Sequence, residues 1–312
     1  MTIGIDMMGG DYAPLEAVKG IVAYLKSNNA AAHLVLVGNN DQLITLLEEF
    51  DIDAAHYTIV PSHSVIAMNE HPTKALREKQ DSSIAIGFGL LAKGKIDAFI
   101  GAGNTGAMLV GTMFTIKTME GVIRPTISTI VPKANGKTGL LLDVGINADC
   151  KPEMLNQFAT LGAAYAEYIL GIEKPTVGLI NIGEEEGKGN ILAQNTYPLL
   201  KENKSIEFIG NIEGRDILED KADVAVCDGF TGNILLKLLE SLHPITAGQG
   251  IEHEYFKRFD FESYGGTPVL GVDKPVIIGH GISGSEAFMN MIFVAEKIIS
   301  TGLFDKMKAM IR

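Results

Sequence analysis

Short apolar runs rich in β-branched residues alternate along the chain with longer segments in which apolar residues recur every three or four positions. That alternation predicts an α/β protein with a largely parallel sheet. Strands are expected near 2–6, 33–37, 56–60, 96–100, 126–131, 138–144, 175–181, 206–210, 222–227 and 275–279. The first helix is marked by Pro14 in its first turn and by a stripe of Leu15, Val18, Ile21, Val22 and Leu25. The last is expected to open with Ser283 and Glu286 at capping-box spacing and to run apolar through Phe288, Ile292, Ala295 and Ile299. Strands interleaved with helices in this number make a three-layer α/β/α sandwich with a large, mostly parallel mixed sheet. Residues 243–268 break the rhythm. They carry Pro244, Gly248, Gly250 and the Gly265-Gly266 turn without a strand–helix unit, and are expected as an excursion from the sheet.

The 312 residues show no linker, low-complexity tract or charge block, so 1–312 is expected as one catalytic unit of two intertwined α/β lobes. A chain of that length buries enough surface to need no disulfide or metal staple. Lysine and arginine number 26 against 38 acidic residues, a net charge of −12, which argues against a nucleic-acid binder. Cys150 and Cys227 are the only cysteines, so neither a disulfide framework nor a zinc cluster is expected. No apolar stretch reaches the roughly 18–20 residues of a membrane span. Met1–Asp6 lacks the basic-then-apolar order of a signal peptide, and a cytoplasmic location is expected.

In open α/β sheets, ligands bind beyond the carboxyl ends of the strands. Five strand-to-helix turns are rich in glycine and small polar residues: DMMGGD with Asp6, Gly9 and Gly10; GAGNTG with Asn104, Thr105 and Gly106; GEEEGKGN with Gly187, Lys188 and Gly189; DGFTGN with Asp228, Thr231, Gly232 and Asn233; and GHGISGSE with His280. Glycine lets backbone approach a ligand, and each following helix start offers free N–H groups and a positive dipole end, which suits an anion such as phosphate.

GAGNTG matches the dinucleotide fingerprint, but the next strand ends in Pro132 and Lys133 where an acid should hold a ribose. GEEEGKGN resembles a P-loop, yet its spacing is short and Gly189 stands where Ser or Thr would bind magnesium. A nicotinamide enzyme and an ATPase are both disfavoured. Cys227 ends an apolar strand and reads as a buried small hydrophobe, and no nucleophile elbow or zinc-binding histidine pair occurs. Lys188, between two glycines and beside Glu184, Glu185 and Glu186, is the most suggestive single residue, the acids being expected to keep it protonated. Asn104 and Asn233 suit helix capping or donation to a developing oxyanion. Asp6, Asp143 and Asp228, each after an apolar strand, can orient Lys188, line a cleft or cap helices.

Taken together, the segments IDMMGGDYAP, AGNTGA, LLDVG, CKPE, GLINIGEEEGKGN, FIGNIEGRDIL, ADVAVCDGFTGN and YGGTPVLGV resemble, in order and nearly end to end, the PlsX family, the acyl-ACP:phosphate acyltransferases of bacterial phospholipid synthesis. The resemblance implies a fold like isocitrate and isopropylmalate dehydrogenases, a homodimer, and no metal, nucleotide or other cofactor. It implies transfer of a fatty acyl group from acyl carrier protein to inorganic phosphate. The acyl phosphate would pass to a membrane glycerol-3-phosphate acyltransferase, with peripheral contact at the inner face of the cell membrane. It places the catalytic pair on Lys188 and Asn233; the other turn residues and Asp143 are expected, from their places at the strand ends, to bind substrate. The segment Leu242–Phe259 is shorter here than in relatives, and DVGINADC departs from the usual turn at Ile146 and Ala148.

The chemistry agrees with the residues. A thioester is already activated, so no nucleotide is required, and phosphate near neutral pH is partly dianionic. The protein then needs positioning and oxyanion stabilisation more than a strong base. An acetyl- or acyl-CoA:phosphate transferase of the same fold, and a non-catalytic acyl- or phosphate-binding regulator, are the alternatives.

Overall fold

The computed structural model of the chain describes residues 1–27 and 29–311. Asn28 and Arg312, within the expected unit 1–312, lie outside the described residues. The chain forms two compact units: Met1–Lys117 with Phe261–Ser300, and Thr118–Asp260 with Thr301–Arg312.

The first unit holds strands β1 (Thr2–Asp6), β2 (His33–Gly38), β3 (Tyr57–Pro61) and β4 (Ala98–Gly101). The second holds β5 (Thr126–Pro132), β6 (Thr138–Leu142), β7 (Thr176–Ile180), β8 (Glu207–Ile212) and β9 (Val224–Val226), and the first is completed by β10 (Thr267–Leu270) and β11 (Val276–Ile278). Strand order in the first unit is β3-β2-β1-β4-β11-β10, parallel except for β10 against β11. In the second it is β5-β6-β9-β7-β8, parallel except for β5 against β6. The fold is α/β with mostly parallel, mixed sheet flanked by helices. Helices on both faces explain why the central strands read as unbroken apolar runs: Ile3, Ile5, Phe99, Ile100, Leu141 and Leu142 are wholly buried.

One expectation needs correction, the capping box of the last helix, and two other segments carry detail that the linear pattern does not show. The segment 243–268, expected as an excursion from the sheet, adds no strand before residue 267. It contains the helices Leu242–Gly248 and Glu254–Lys257 and a 3₁₀ turn, Phe261–Tyr264. Its last two residues already belong to β10, Thr267 pairing with Ile278 and Pro268 with Ile277. A four-residue strand containing proline carries no pattern of its own, and only the edge of β11 makes it a strand. The last helix spans Ser285–Thr301, and its start is not a capping box. The Ser283 hydroxyl is buried without a partner, and carboxylates from elsewhere take the first N–H groups: Gly284 N donates to Glu262 Oε1 at 2.9 Å and Ser285 N to Glu16 Oε2 at 2.9 Å. The apolar run of the helix Gly229–Glu240 is divided between two faces: Leu235, Leu236 and Leu239 pack against the buried cluster that includes Val131, Leu141, Val144 and Ile212, while Phe230, Ile234 and Leu238 stay exposed.

Lys133, where a dinucleotide enzyme would need an acid, is 1% exposed and structural: its ammonium donates to Ala222 O at 2.7 Å and Asp220 Oδ1 at 3.3 Å. A buried charge persists only when paired in this way.

Candidate active site

In the first unit, three of the five glycine turns come together. Asp11 N donates to Gly281 O at 2.7 Å, tying the first turn to the last. Gly9 faces Asp6 and the Gly103 backbone so closely that a β-carbon would collide with both. Asn104 caps the helix Thr105–Gly111 by accepting from Ala107 N at 2.9 Å, and its amide nitrogen donates to Ala67 O, Met68 O and Glu70 O at 2.9, 3.2 and 3.1 Å. Those bonds fully engage Asn104 as a brace. Thr105 is exposed, whereas Gly106 is half-buried and packs against the Pro72 ring. His280 is exposed, its Nδ1 accepting from Ile282 N at 3.5 Å.

Asp6 is fully buried; its Oδ1 accepts from Met8 N at 3.0 Å, and its Oδ2 makes no hydrogen bond of normal geometry among the described residues. Burial raises this carboxyl above its usual 3.8. An acid raised in the folded state binds more protons folded than unfolded. Its contribution to stability is therefore greatest below the unfolded value and falls as pH rises through the folded one. Asp6→Asn is expected to flatten the decline in stability above about pH 4, because the amide has no proton to lose. Melting temperatures of both proteins from acidic to neutral pH check this, and a steeper decline in the variant would contradict it.

In the second unit the structure brings together Asp143 and the turn Asp228–Asn233. Asp143 is buried and accepts from Ile127 N, Ile146 N, Asn147 N and Asn147 Nδ2 at 3.2, 3.4, 2.7 and 2.9 Å. Burial still raises it, against those bonds. Asp228 caps the helix Gly229–Glu240, accepting from Thr231 N at 2.9 Å and Thr231 Oγ1 at 3.0 Å. Both aspartates therefore have assigned work in holding turns. Gly232 lies directly on the Asp143 carbonyl, and Gly229 N donates to Asn147 O at 2.8 Å. Asn233 does not cap. It stands in the second turn of the helix, exposed, and its amide makes no hydrogen bond among the described residues; a methyl at Gly145 would sit 3.4 Å from its oxygen. Cys227 is 3% exposed, and burial pushes its thiol well up; burial likewise pushes half-buried Cys150 to about 12. Neither is poised as a nucleophile.

Lys188 sits on a loop of the second unit between β7 and the helix Ile191–Glu202. The expected acidic surround is largely engaged elsewhere: Glu184 pairs with Lys221 and Glu186 with Lys201. Among the described residues, exposed Glu185 alone pairs with the Lys188 ammonium, at 3.9 Å, a contact of little strength. The aliphatic stem crosses Gly183, whose missing side chain leaves it room. Asn190 caps the following helix through Ala193 N at 2.8 Å. Asn147, Asn181 and Gln194, which also hold these turns, belong to no catalytic or binding pattern in the sequence. Their signal was an amide at a strand end or within one turn of the glycines. Among the described residues, no group of three or more His, Cys, Asp or Glu side chains is arranged to hold a metal ion.

A family model described as a fatty acid synthesis protein matches residues 1–247. A phosphate acyltransferase from Dictyoglomus turgidum is 42% identical over 318 residues, covering 96% of this chain and 94% of its own. The chain belongs to the phosphate acyltransferase family. A second member, from Thermoanaerobacterium thermosaccharolyticum, is 44% identical over 319 residues, with 96% and 93% covered. The family membership implied by the motifs thus holds across the chain, and the protein is an acyltransferase of lipid biosynthesis. In fold it is similar to a phosphotransacetylase from Streptococcus pyogenes, with a TM-score of 0.69 over 96% of this chain and 94% of that one, at 18% identity.

Proposed function

We propose that the protein transfers a fatty acyl group from acyl carrier protein to inorganic phosphate, releasing the carrier thiol and an acyl phosphate for phospholipid synthesis. A phosphate oxygen attacks the thioester carbonyl, the C–S bond breaks, and the thiolate leaves and takes up a proton. Lys188 and Asn233 stabilise charge on the thioester oxygen or the leaving sulfur. Asp6, Gly9, Gly10, Asn104, Asp143, Gly187, Gly189, Asp228, Thr231 and Gly232 shape the turns, and Thr105, Gly106 and His280 contact substrate. The observation that carries this reading is the contrast between engaged and disengaged polar groups. Asn104, Asp143 and Asp228 are consumed by the fold, whereas Lys188 and Asn233 project from braced turns with no strong partner.

The residues 1–312 act as one catalytic unit in this proposal, needing no cofactor, and two copies form a cytoplasmic homodimer. Phe230, Ile234 and Leu238, four residues apart on one helix face, supply apolar surface for contact with protein or membrane. Among the described residues no single helix is long and apolar enough to cross a membrane, so contact with the inner face and with a glycerol-3-phosphate acyltransferase would be peripheral. Incubation with phosphate and either a long-chain acyl-acyl carrier protein or acetyl-CoA tests the donor. Phosphate-dependent thiol release is expected from the carrier protein; release from acetyl-CoA alone would overturn the proposal.

A further inference from the structure

We infer that Gln194 and Asn181 are positioning residues for Lys188, their side-chain amides gripping the successive carbonyls of Gly187, Lys188 and Gly189. The inference rests on the reading of Lys188 as a participant in acyl transfer.

Gln194 Nε2 donates to Gly187 O at 3.2 Å and to Gly189 O at 3.0 Å. Asn181 Nδ2 donates to Lys188 O at 3.1 Å. The peptide planes on both sides of the Lys188 Cα are thereby held, and with them the two soft dihedrals that set the direction of its side chain. That restraint matters here because both neighbours are glycines, whose backbone freedom would otherwise let the segment rotate. Gly189 has a φ of +91°, and any β-carbon there would strike Asn181 Oδ1, so glycine is required for the grip to close.

Both amides are themselves anchored. Asn181 follows β7, its own N–H donates to Ile212 O at 2.8 Å, and its Oδ1 accepts from Ile182 N at 2.8 Å. Gln194 is carried by the first turn of the helix Ile191–Glu202. A third amide, from buried Asn211, donates to Glu185 O at 2.9 Å, the same carbonyl that receives Lys188 N at 3.0 Å. The loop is thus tied to a strand and a helix by side-chain amides. Among the described residues the lysine head has one ionic contact, to Glu185 at 3.9 Å, so the held backbone, which fixes the Cα–Cβ direction, is the firmest restraint on where the side chain starts.

The test uses Gln194→Met and Asn181→Leu, near-isosteric and without donors, each alone and combined with Lys188→Ala, assayed by phosphate-dependent thiol release from a long-chain acyl-acyl carrier protein. Misaiming a catalytic group by about 1 Å costs up to about 100-fold, so kcat should fall roughly 10- to 100-fold for each variant. A residue that acts only through Lys188 leaves uniform substrate binding intact, so KM should stay within about twofold. In the Lys188→Ala background the same substitutions should cost less than about twofold more, since there is no ammonium left to aim. Gln194 is exposed, so its variant keeps the fold even if Asn181→Leu does not. Normal kcat in Gln194→Met beside a crippled Lys188→Ala would overturn the positioning role while leaving the reading of Lys188 intact. So would a Gln194→Met loss repeated in full in the Lys188→Ala background. Normal turnover in Lys188→Ala would overturn the reading of Lys188 itself.

Discussion

Lys188→Ala is expected to lower turnover about 100- to 1,000-fold, the typical cost of removing one preorganised donor at a developing charge. Its melting temperature should hardly move. The side chain is half exposed, its one ionic contact is 3.9 Å long to a carboxylate that is itself exposed, and the loop is held by amides that do not involve the ammonium. Asn233→Ala should behave alike, because its amide is exposed and makes no hydrogen bond among the described residues. If the two share one transition-state charge, the double substitution should cost less than the product of the single losses. Thiol release at saturating phosphate, with thermal melts alongside, checks the pair. A large drop in melting temperature would make Lys188 structural.

The opposite signature is expected of Gly232→Ala. Here stability and turnover should fall together. A β-carbon at 232 runs into the Asp143 carbonyl oxygen and comes within 3.1 Å of Cys227 Sγ. Asp143 cannot retreat easily, since its carboxyl is pinned by four N–H donors and its own N–H donates to Cys227 O at 3.1 Å. Overpacking a braced site costs roughly 1–3 kcal/mol and occasionally more, and backbone on the receiving side puts this case at about 3 kcal/mol. The adjacent Asn233 would be displaced with its turn, so turnover drops as well. Gly187→Ala is the control: nothing lies within 4 Å of the added carbon, and its melting temperature should match the parent's. Thermal melts of both variants decide it, and an unchanged melting temperature for Gly232→Ala would show that the two turns give way more easily than their bonding implies.

Much of this was legible beforehand. The alternation of β-branched runs with helical stripes marks ten of the eleven strands among the described residues, because central parallel strands covered on both faces must be apolar throughout. The glycine turns were legible for a related reason: close approach of backbone requires glycine whatever surrounds it. The order of those turns carried the family.

What the linear pattern could not supply was the division of labour among polar residues in similar turns. Asn104 and Asn233 stand in near-identical settings, yet one makes four hydrogen bonds and the other none among the described residues. Three consecutive glutamates beside Lys188 suggested a shared charge environment, but two pair with Lys201 and Lys221 from other elements. Nor could β10 be seen, since its strand character comes from the edge of β11, or the capping of the last helix by Glu16 and Glu262. The sequence by itself determined the α/β class, the positions of the turns and the chemistry on offer there, because those depend on burial periodicity and on local backbone freedom. Only the tertiary structure decided which side chains the fold consumes and which it leaves available, because a hydrogen bond is assigned by what lies within about 3 Å in space and not by what lies near in the chain.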